Sequence, residues 1–314
     1  MLMLIKFFLP LALSVALFSV IFYPLHKQRS TGKTSPLVNE RLNFPGESLK
    51  TKLSDMLDDV VFYLICAYSS LAVLIAIIPT NLAELTAVKF LICVSCCLVI
   101  LYVALNLKSN MSAALNYRVG LDGEEYTGQQ LTLLLKHGAD VFHDIPYKYG
   151  NIDHVVVGHD KVFAVETKAV RKPAPTSIKN GKKHHQVEFD GKRIIFPTFG
   201  TTKPVEQAKR HAKWLRQHLS ENIGLEINVI PVVALPGWWV IPPKSSYEVL
   251  VINPKNSCLL NLLGKPRYES NRKRVVESIQ ELASFGVAKS KITDPDFAKH
   301  FDWMNRRIQK QAAE

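Results

Sequence analysis

Apolar residues along this chain fall into two regimes. In the first third they run together: Phe7 to Tyr23, Val60 to Ile78 and Ala87 to Leu107 are three windows interrupted by a single charge, Lys89. Each is roughly long enough, at 1.5 Å per residue, to cross ~30 Å of hydrocarbon. Beyond Leu107 the apolar positions become periodic. Leu121, Glu124, Gly128, Leu131 and Leu135 recur at three- and four-residue spacing, which predicts an amphipathic helix ending near Gly138. One acid, Glu124, therefore lies on its apolar stripe. Val- and Phe-rich extended runs follow at Ala139–Ile145, Asn151–Val157 and Lys161–Val170. After a hairpin-like insertion, Pro204 opens a helix through about Leu219, and Ile227–Leu235 and Tyr247–Ile252 read as further strands. The tail from Gly264 looks helical and exposed. Helices alternate with strands, so the class is α/β.

Charge orients the apolar windows. The link from Pro79 to Thr86 holds Glu84 and no base, whereas 26–59 holds Lys27, Arg29, Lys33, Arg41, Lys50 and Lys52. The positive-inside bias makes 26–59 cytoplasmic, puts the amino terminus outside and leaves everything after Leu107 in the cytoplasm. The competing reading of 1–25 is a cleaved signal peptide. It would export the basic 26–59 segment, and no convincing small-residue cleavage site follows the run. Cys66, Cys93, Cys96 and Cys97 lie inside the windows and Cys258 stands alone outside them, so no intrachain disulfide is expected in the water-facing part.

The 314 residues carry 39 Lys+Arg against 27 Asp+Glu. From Lys108 onward the balance is 31 to 21, and between Lys168 and Arg216 it is 13 bases to three acids, Glu188, Asp190 and Glu206. A polyanion or an anionic leaflet is the natural partner of so local a field.

The chemistry concentrates in "GNIDHVVVGHDKVFAVETK", residues 150 to 168. A reversal at His159–Asp160 sets Gly158 opposite Lys161 and, in the same register, Asp153 opposite Glu166. Residues two apart on a strand share a face, so Lys168 projects beside Glu166. Two carboxylates at cross-strand distance repel unless a cation intervenes, and a pair of hard oxygen donors that leaves room for water and phosphate oxygens suits Mg²⁺ or Mn²⁺. Lys168 would position water or stabilise charge developing at phosphorus, and Glu124 is a third acid for the same ion. Taken alone, the three strand residues also fit a solvated hairpin face. Glu125, about 100° from Glu124 on the helix, is expected in solvent. His184 and His185 in a Lys-rich loop read as solvated, His211, Trp214 and His218 as packing or phosphate contacts, and Trp238 and Trp239 as loop aromatics without an assignable role. There is no G-x-S-x-G, H-E-x-x-H, Walker or G-x-G-x-x-G motif and no water-facing Cys/His zinc pattern, which removes support for serine-hydrolase, zinc-protease, kinase-like and dinucleotide readings.

Four elements in order, Gly120-x-x-Gly123-Glu124, Ile152-Asp153-His154, Glu166-Thr167-Lys168 and Pro204-Val205-Glu206-Gln207, resemble the nuclease-related domain (NERD) family, a branch of the restriction-endonuclease-like PD-(D/E)xK superfamily. They span roughly 118 to 235. The resemblance implies a restriction-endonuclease-like αβββαβ core with a mixed sheet. It also implies Asp153 and Glu166 as metal ligands, Lys168 as catalytic lysine, Glu124 as accessory acid and Gln207 as a supporting residue. Ala169, Val170 and Arg171 depart from the Asn and the Gly or Trp that commonly follow E-x-K in the family, which bears on substrate fit more than on the acids.

The expected organisation is a first transmembrane anchor at 1–25, a cytoplasmic loop at 26–59, a transmembrane hairpin at 60–107, the nuclease-like domain at 108–263 and a basic helical tail at 264–314. The expected function is a membrane-anchored, Mg²⁺- or Mn²⁺-dependent nuclease acting on DNA or RNA. It would sit in a bacterial inner membrane with its carboxyl-terminal domain in the cytoplasm and hold phosphates through Lys172, Lys182, Lys183, Lys209 and Arg210. The rivals are a catalytically inactive, membrane-tethered nucleic-acid-binding module and an adaptor whose basic stretch meets anionic lipid.

Overall fold

A computed structural model describes residues 42–77, 86–147, 150–174, 183–243, 245–255, 263–264 and 270–288. The expected first span, residues 7 to 23, and Lys182 and Cys258 lie outside the described residues. Within them are two helices long and apolar enough to cross a membrane, against the three windows expected.

The chain divides into two compact units: the described residues of 48–122 form one, and 42–47 with the described residues from Gly123 onward form the other. In the first unit, α1 spans Glu47–Ile77 and α2 starts at Ala87. Helix α1 begins well before the expected span, so 47–59 is helical rather than loop. The segment from Glu47 holds strong helix formers and no proline, and Glu47 puts a carboxylate in the first turn, where the helix dipole favours it. Leu71, Ile75, Leu91 and Leu101 are exposed, a large apolar surface for water to wet. Cys66, Cys93, Cys96 and Cys97 are free thiols.

Helix α2 does not stop at the end of its apolar window. It continues to Thr132, because 108–120 contains no proline to break it, and then tightens into a 3₁₀ turn, Leu133–His137, closed by Gly138 in the left-handed conformation at φ 77. The tightening advances the side chains faster around the axis. Leu134, 8% exposed, takes the core position expected for Leu135, which is 48% exposed.

The second unit is built on a five-stranded mixed sheet of β1 (Asp140–Tyr147), β2 (Gly150–Val157), β3 (Val162–Thr167), β7 (Val229–Ala234) and β9 (Leu250–Ile252), in that spatial order. β1, β2 and β3 pair antiparallel, and β7 and β9 add in parallel. The parallel crossover from β3 to β7 carries helix α3, Lys203–Ile223, with Pro204 in its first turn and left-handed Gly224 after its end. A smaller sheet, β4 (Gln186–Phe189), β5 (Ile194–Ile195), β6 (Gly200–Thr201) and β8 (Trp239–Val240), forms from the expected insertion and the Trp loop.

Three clusters hold this unit. On one sheet face Val155, Val157, Val162 and Ala164 pack against Ala212, Leu215 and Leu219 of α3 and Val275 and Ile279 of α4, Ser270–Ala288. On the other face Phe163, Val165 and Val232 pack under Leu131 and Leu134. The small sheet buries Phe196 and Trp238 against Val205 and Ala208 at the start of α3. The tail helix α4 is thus part of the core, not an exposed appendage. Its spacing of Val275, Ile279 and Ala283 makes one apolar stripe, and Arg272 bonds the carboxylate of Asp140 and the carbonyl oxygens of Gly138 and Gly158.

Candidate functional site

The expected hairpin register holds: His154 pairs with Val165 and Val157 with Val162, so the next position sets Asp153 opposite Glu166. Their carboxylates reach a common volume at the end of β3. The backbone N–H of Thr167 donates to Asp153 Oδ2 at 2.6 Å, fixing one oxygen and leaving the other to act. Glu166 is 7% exposed on the α3 side of the sheet. Lys168, exposed just past β3, has its backbone N–H tied to the Ala234 carbonyl at 2.9 Å, which holds the start of the loop against β7.

Glu124 arrives from the opposite side of the sequence by a close helix approach. A Cβ at Gly123 would lie 2.4 Å from that of Ala169, so only glycine lets α2 settle against the residues after Lys168. That seating buries Glu124. Glu125 is half-buried rather than solvated, since the apolar stripe of a packed helix is wider than its central row.

Electrostatics shows the acids acting on one another. Burial, then the neighbouring Asp153 and Glu124 charges, hold the Glu166 carboxyl well above its usual range, while Lys168 and Arg210 pull the other way. Burial pushes Asp153 up to about 7 against the Thr167 N–H and Lys168, and Asp144 adds to the rise. A site that burdens buried carboxylates with each other's charge favours either a proton or a cation.

Three residues join the centre that the sequence motifs did not assign to it: His211, Tyr147 and Asp144. His211 of α3 places Nδ1 3.3 Å from Glu166 Oε2. Burial and Arg210 lower its pKa to about 4, so the ring is neutral near pH 7 and the contact is not an ion pair. That Nδ1 is buried with no aligned hydrogen-bond partner among the described residues. Tyr147, at the end of β1, lies edge-on to His211 with centroids 5.1 Å apart and is hydrogen-bonded to Arg210. Burial first of all raises its phenol, with Glu166 and Asp153 contributing in the same direction. Asp144 falls opposite Asp153, between the pairs His143↔His154 and Ile145↔Ile152.

His154 is fully buried and links two strands: its Nδ1 is 2.9 Å from His143 Nδ1 and its Nε2 is 3.2 Å from Thr167 Oγ1. Burial keeps both rings neutral, lowering His143 to about 4. Opposite tautomers then satisfy the pair, one Nδ1–H donating to the other's lone pair. The chain His143, His154, Thr167 ends on Asp153 through the Thr167 N–H. The sequence signal for Asp144 and Tyr147 was the polar His143-Asp144 interruption of an apolar strand. For His211 it was the four-residue step from Gln207.

The remaining expected residues divide. Gln207 is half-buried one helical turn before His211, on the same side of α3. Arg210 is exposed beside Tyr147 and the acids. Lys209 is taken up by Glu248, with Nζ 2.7 Å from Oε2. Lys172 is exposed, its Nζ 5.9 Å over the ring of buried Trp238, and Lys183 is exposed before β4. Trp238 donates Nε1–H to the Val170 carbonyl at 3.1 Å, whereas Trp239 is 61% exposed.

The donor set fits a hard divalent ion on two counts: a buried and a half-buried carboxylate in mutual repulsion, and an orphaned imidazole nitrogen facing the buried one. Among the described residues no three His, Cys, Asp or Glu side chains are gathered into a complete cage. An ion here would rest on Asp153 and Glu166 with water and substrate oxygens completing its shell, the usual Mg²⁺ habit, and Glu124 would act on it through Glu166. No curated protein and no solved structure matches the chain. Residues 119–236 match the family model of the nuclease-related domain, NERD, and that stretch holds Glu124, Asp153, Glu166, Lys168 and Gln207.

Proposed function

We propose that the protein is a metal-dependent phosphodiesterase of nucleic acid, anchored to a membrane by its apolar helices. The observation that carries the reading is the convergence of half-buried Asp153 and buried Glu166, mutually repelling and backed by Glu124, beside the ammonium of Lys168. When bound, a divalent ion would neutralise the acids and polarise a phosphoryl oxygen. Asp153, braced by the Thr167 N–H, and Glu166 hold that ion. Lys168 stabilises negative charge developing at phosphorus, and its place at a loop start lets it meet a substrate from solvent. Arg210, oriented by Tyr147, grips a neighbouring phosphate, with Lys172 and Lys183 further along the strand's path.

Full-length protein in detergent is expected to cut labelled single- or double-stranded DNA or RNA with Mg²⁺ or Mn²⁺, and to lose at least about a hundredfold in rate as Asp153→Asn or Lys168→Ala. Wild-type rates in both variants would refute the assignment.

The absence of a complete cage among the described residues favours a second reading, a catalytically silent nucleic-acid tether. It predicts salt-sensitive binding that ignores both Mg²⁺ and Glu166→Gln. Orientation follows from the Lys/Arg content of 26–59, which supports a cytoplasmic nuclease domain. Reporter fusions after Leu107 test it, and a reporter active on the outer side would reverse the topology.

A further inference from the structure

Asp144 depends on residues far outside 119–236. It is buried in a strand with its backbone left-handed at φ 51, a state that a residue with a side chain keeps only where its surroundings hold it. Two asparagines do so: Asn151 Nδ2 donates to Asp144 Oδ1 at 2.8 Å, and Asn43 Nδ2 donates to the Asp144 carbonyl at 2.8 Å. Asn43 comes from the short stretch ahead of α1. That stretch is seated at a second point, since a Cβ at Gly128 would lie 2.4 Å from Pro45 Cγ and 2.8 Å from Pro45 Cβ. Gly46 then turns the chain at φ 71 and Glu47 N–H closes on the Phe44 carbonyl at 3.2 Å. Residues 42–47 cluster accordingly with the unit that begins at Gly123, not with the helix they introduce.

The kink at Asp144 decides which way its neighbours face. Phe142 and Ile145, three apart, enter the same core cluster, as do their partners Val155 and Ile152. Regular two-residue alternation would send one of each pair to the opposite face. The irregularity is shared across both strands and is centred on Asp144 and Asp153. Straightening it would rotate either His143 or Tyr147 out of place and re-aim the Asp153 carboxylate.

We propose that residues 42–47 are a positioning strap for the acidic centre: Asn43 and Pro45 fix the kink at Asp144, and the kink sets how Asp153 presents its carboxylate to a divalent cation. The inference rests on the metal-binding reading given above. The strap touches no substrate, and its effect is carried through the strand.

The test uses the full chain in detergent with Mn²⁺ as probe, bound ion being counted by paramagnetic resonance in the absence of nucleic acid. Asn43→Ala removes one hydrogen bond and is expected to weaken Mn²⁺ binding about fivefold at unchanged stoichiometry. Asn43→Asp, which cannot donate to the carbonyl, weakens it further, and Gly128→Ala does the same by displacing Pro45. The half-saturating Mn²⁺ for cleavage moves in parallel. If the wild type binds Mn²⁺ and both Asn43 variants bind it equally well, the strap is overturned and the metal site stands. A fall in stoichiometry at wild-type affinity also overturns it, because that is loss of folded molecules. If the wild type binds no Mn²⁺, the metal reading fails and the strap's role fails with it.

Discussion

At the residue scale the centre is governed by burial of groups that would each be charged in water. Asp153 and Glu166 have raised pKa values, so their protonated forms stabilise the metal-free fold. That contribution is complete below the usual carboxylate range and is lost as pH rises through about 7 for Asp153. His143 and His211, lowered to about 4, act in the other sense: their contribution is present above 6.5 and is lost as pH falls through about 4. The rise in melting temperature on adding Mg²⁺ should therefore be small at pH 5 and grow toward pH 8, as Asp153 loses its proton and needs a cation. A shift that does not grow with pH would count against two ligating carboxylates. Glu166→Gln, which removes one of the two proposed ligands, should abolish the Mg²⁺ response and its growth with pH. Scanning calorimetry with and without chelator checks both. Asp153, Glu166 and Lys168 were legible in the sequence because a two-residue period and one reversal fix their register. Asp144 and Tyr147 were not, since their approach depends on a left-handed residue inside a strand that no periodicity announces.

At the element scale, helix α2 is positioned by what it lacks. Gly123 lets it approach Ala169, and Gly123→Ala should cost about 1–3 kcal/mol by overpacking. The double variant Gly123→Ala with Ala169→Gly should recover most of that loss, because the incoming and outgoing methyl groups exchange places. Denaturant melts of the three variants decide it, and no recovery would mean that the approach is set elsewhere. The 3₁₀ ending makes a second contrast. Leu134→Ala should destabilise by about 2–4 kcal/mol and Leu135→Ala by less than about 0.5 kcal/mol, the reverse of what α-helical spacing expects. The helix itself was readable from its apolar recurrence. Its tightening was not, since the change from 3.6 to 3.0 residues per turn comes from the left-handed cap at Gly138 and the start of β1 directly after it.

At the scale of the whole molecule, charge and hydropathy set the environment in which the site works. The basic excess between Lys168 and Arg216 predicts nucleic-acid binding that weakens steeply with salt. Arg210→Ala should lower the slope of log affinity against log salt by about one. Lys209→Ala should change it less, because Glu248 already neutralises that ammonium. Filter binding across a salt series separates the two, and equal slopes would remove Lys209 from its pair.

Composition and periodicity determined the apolar helices, the order of strands and helices from Leu121 to Ile252, the Asp153 and Glu166 register and the sign of the field around it. These are local or nearest-neighbour properties, set by how one stretch of chain repeats. Only the tertiary structure decided that the tail helix belongs to the core, that Lys209 is spent on Glu248 while Arg210 lies beside Tyr147, that His211 faces Glu166, and that Asn43 braces Asp144 from 101 residues away. Each of those depends on close packing between segments with no shared period, where a single missing methyl or a single left-handed residue determines which groups meet.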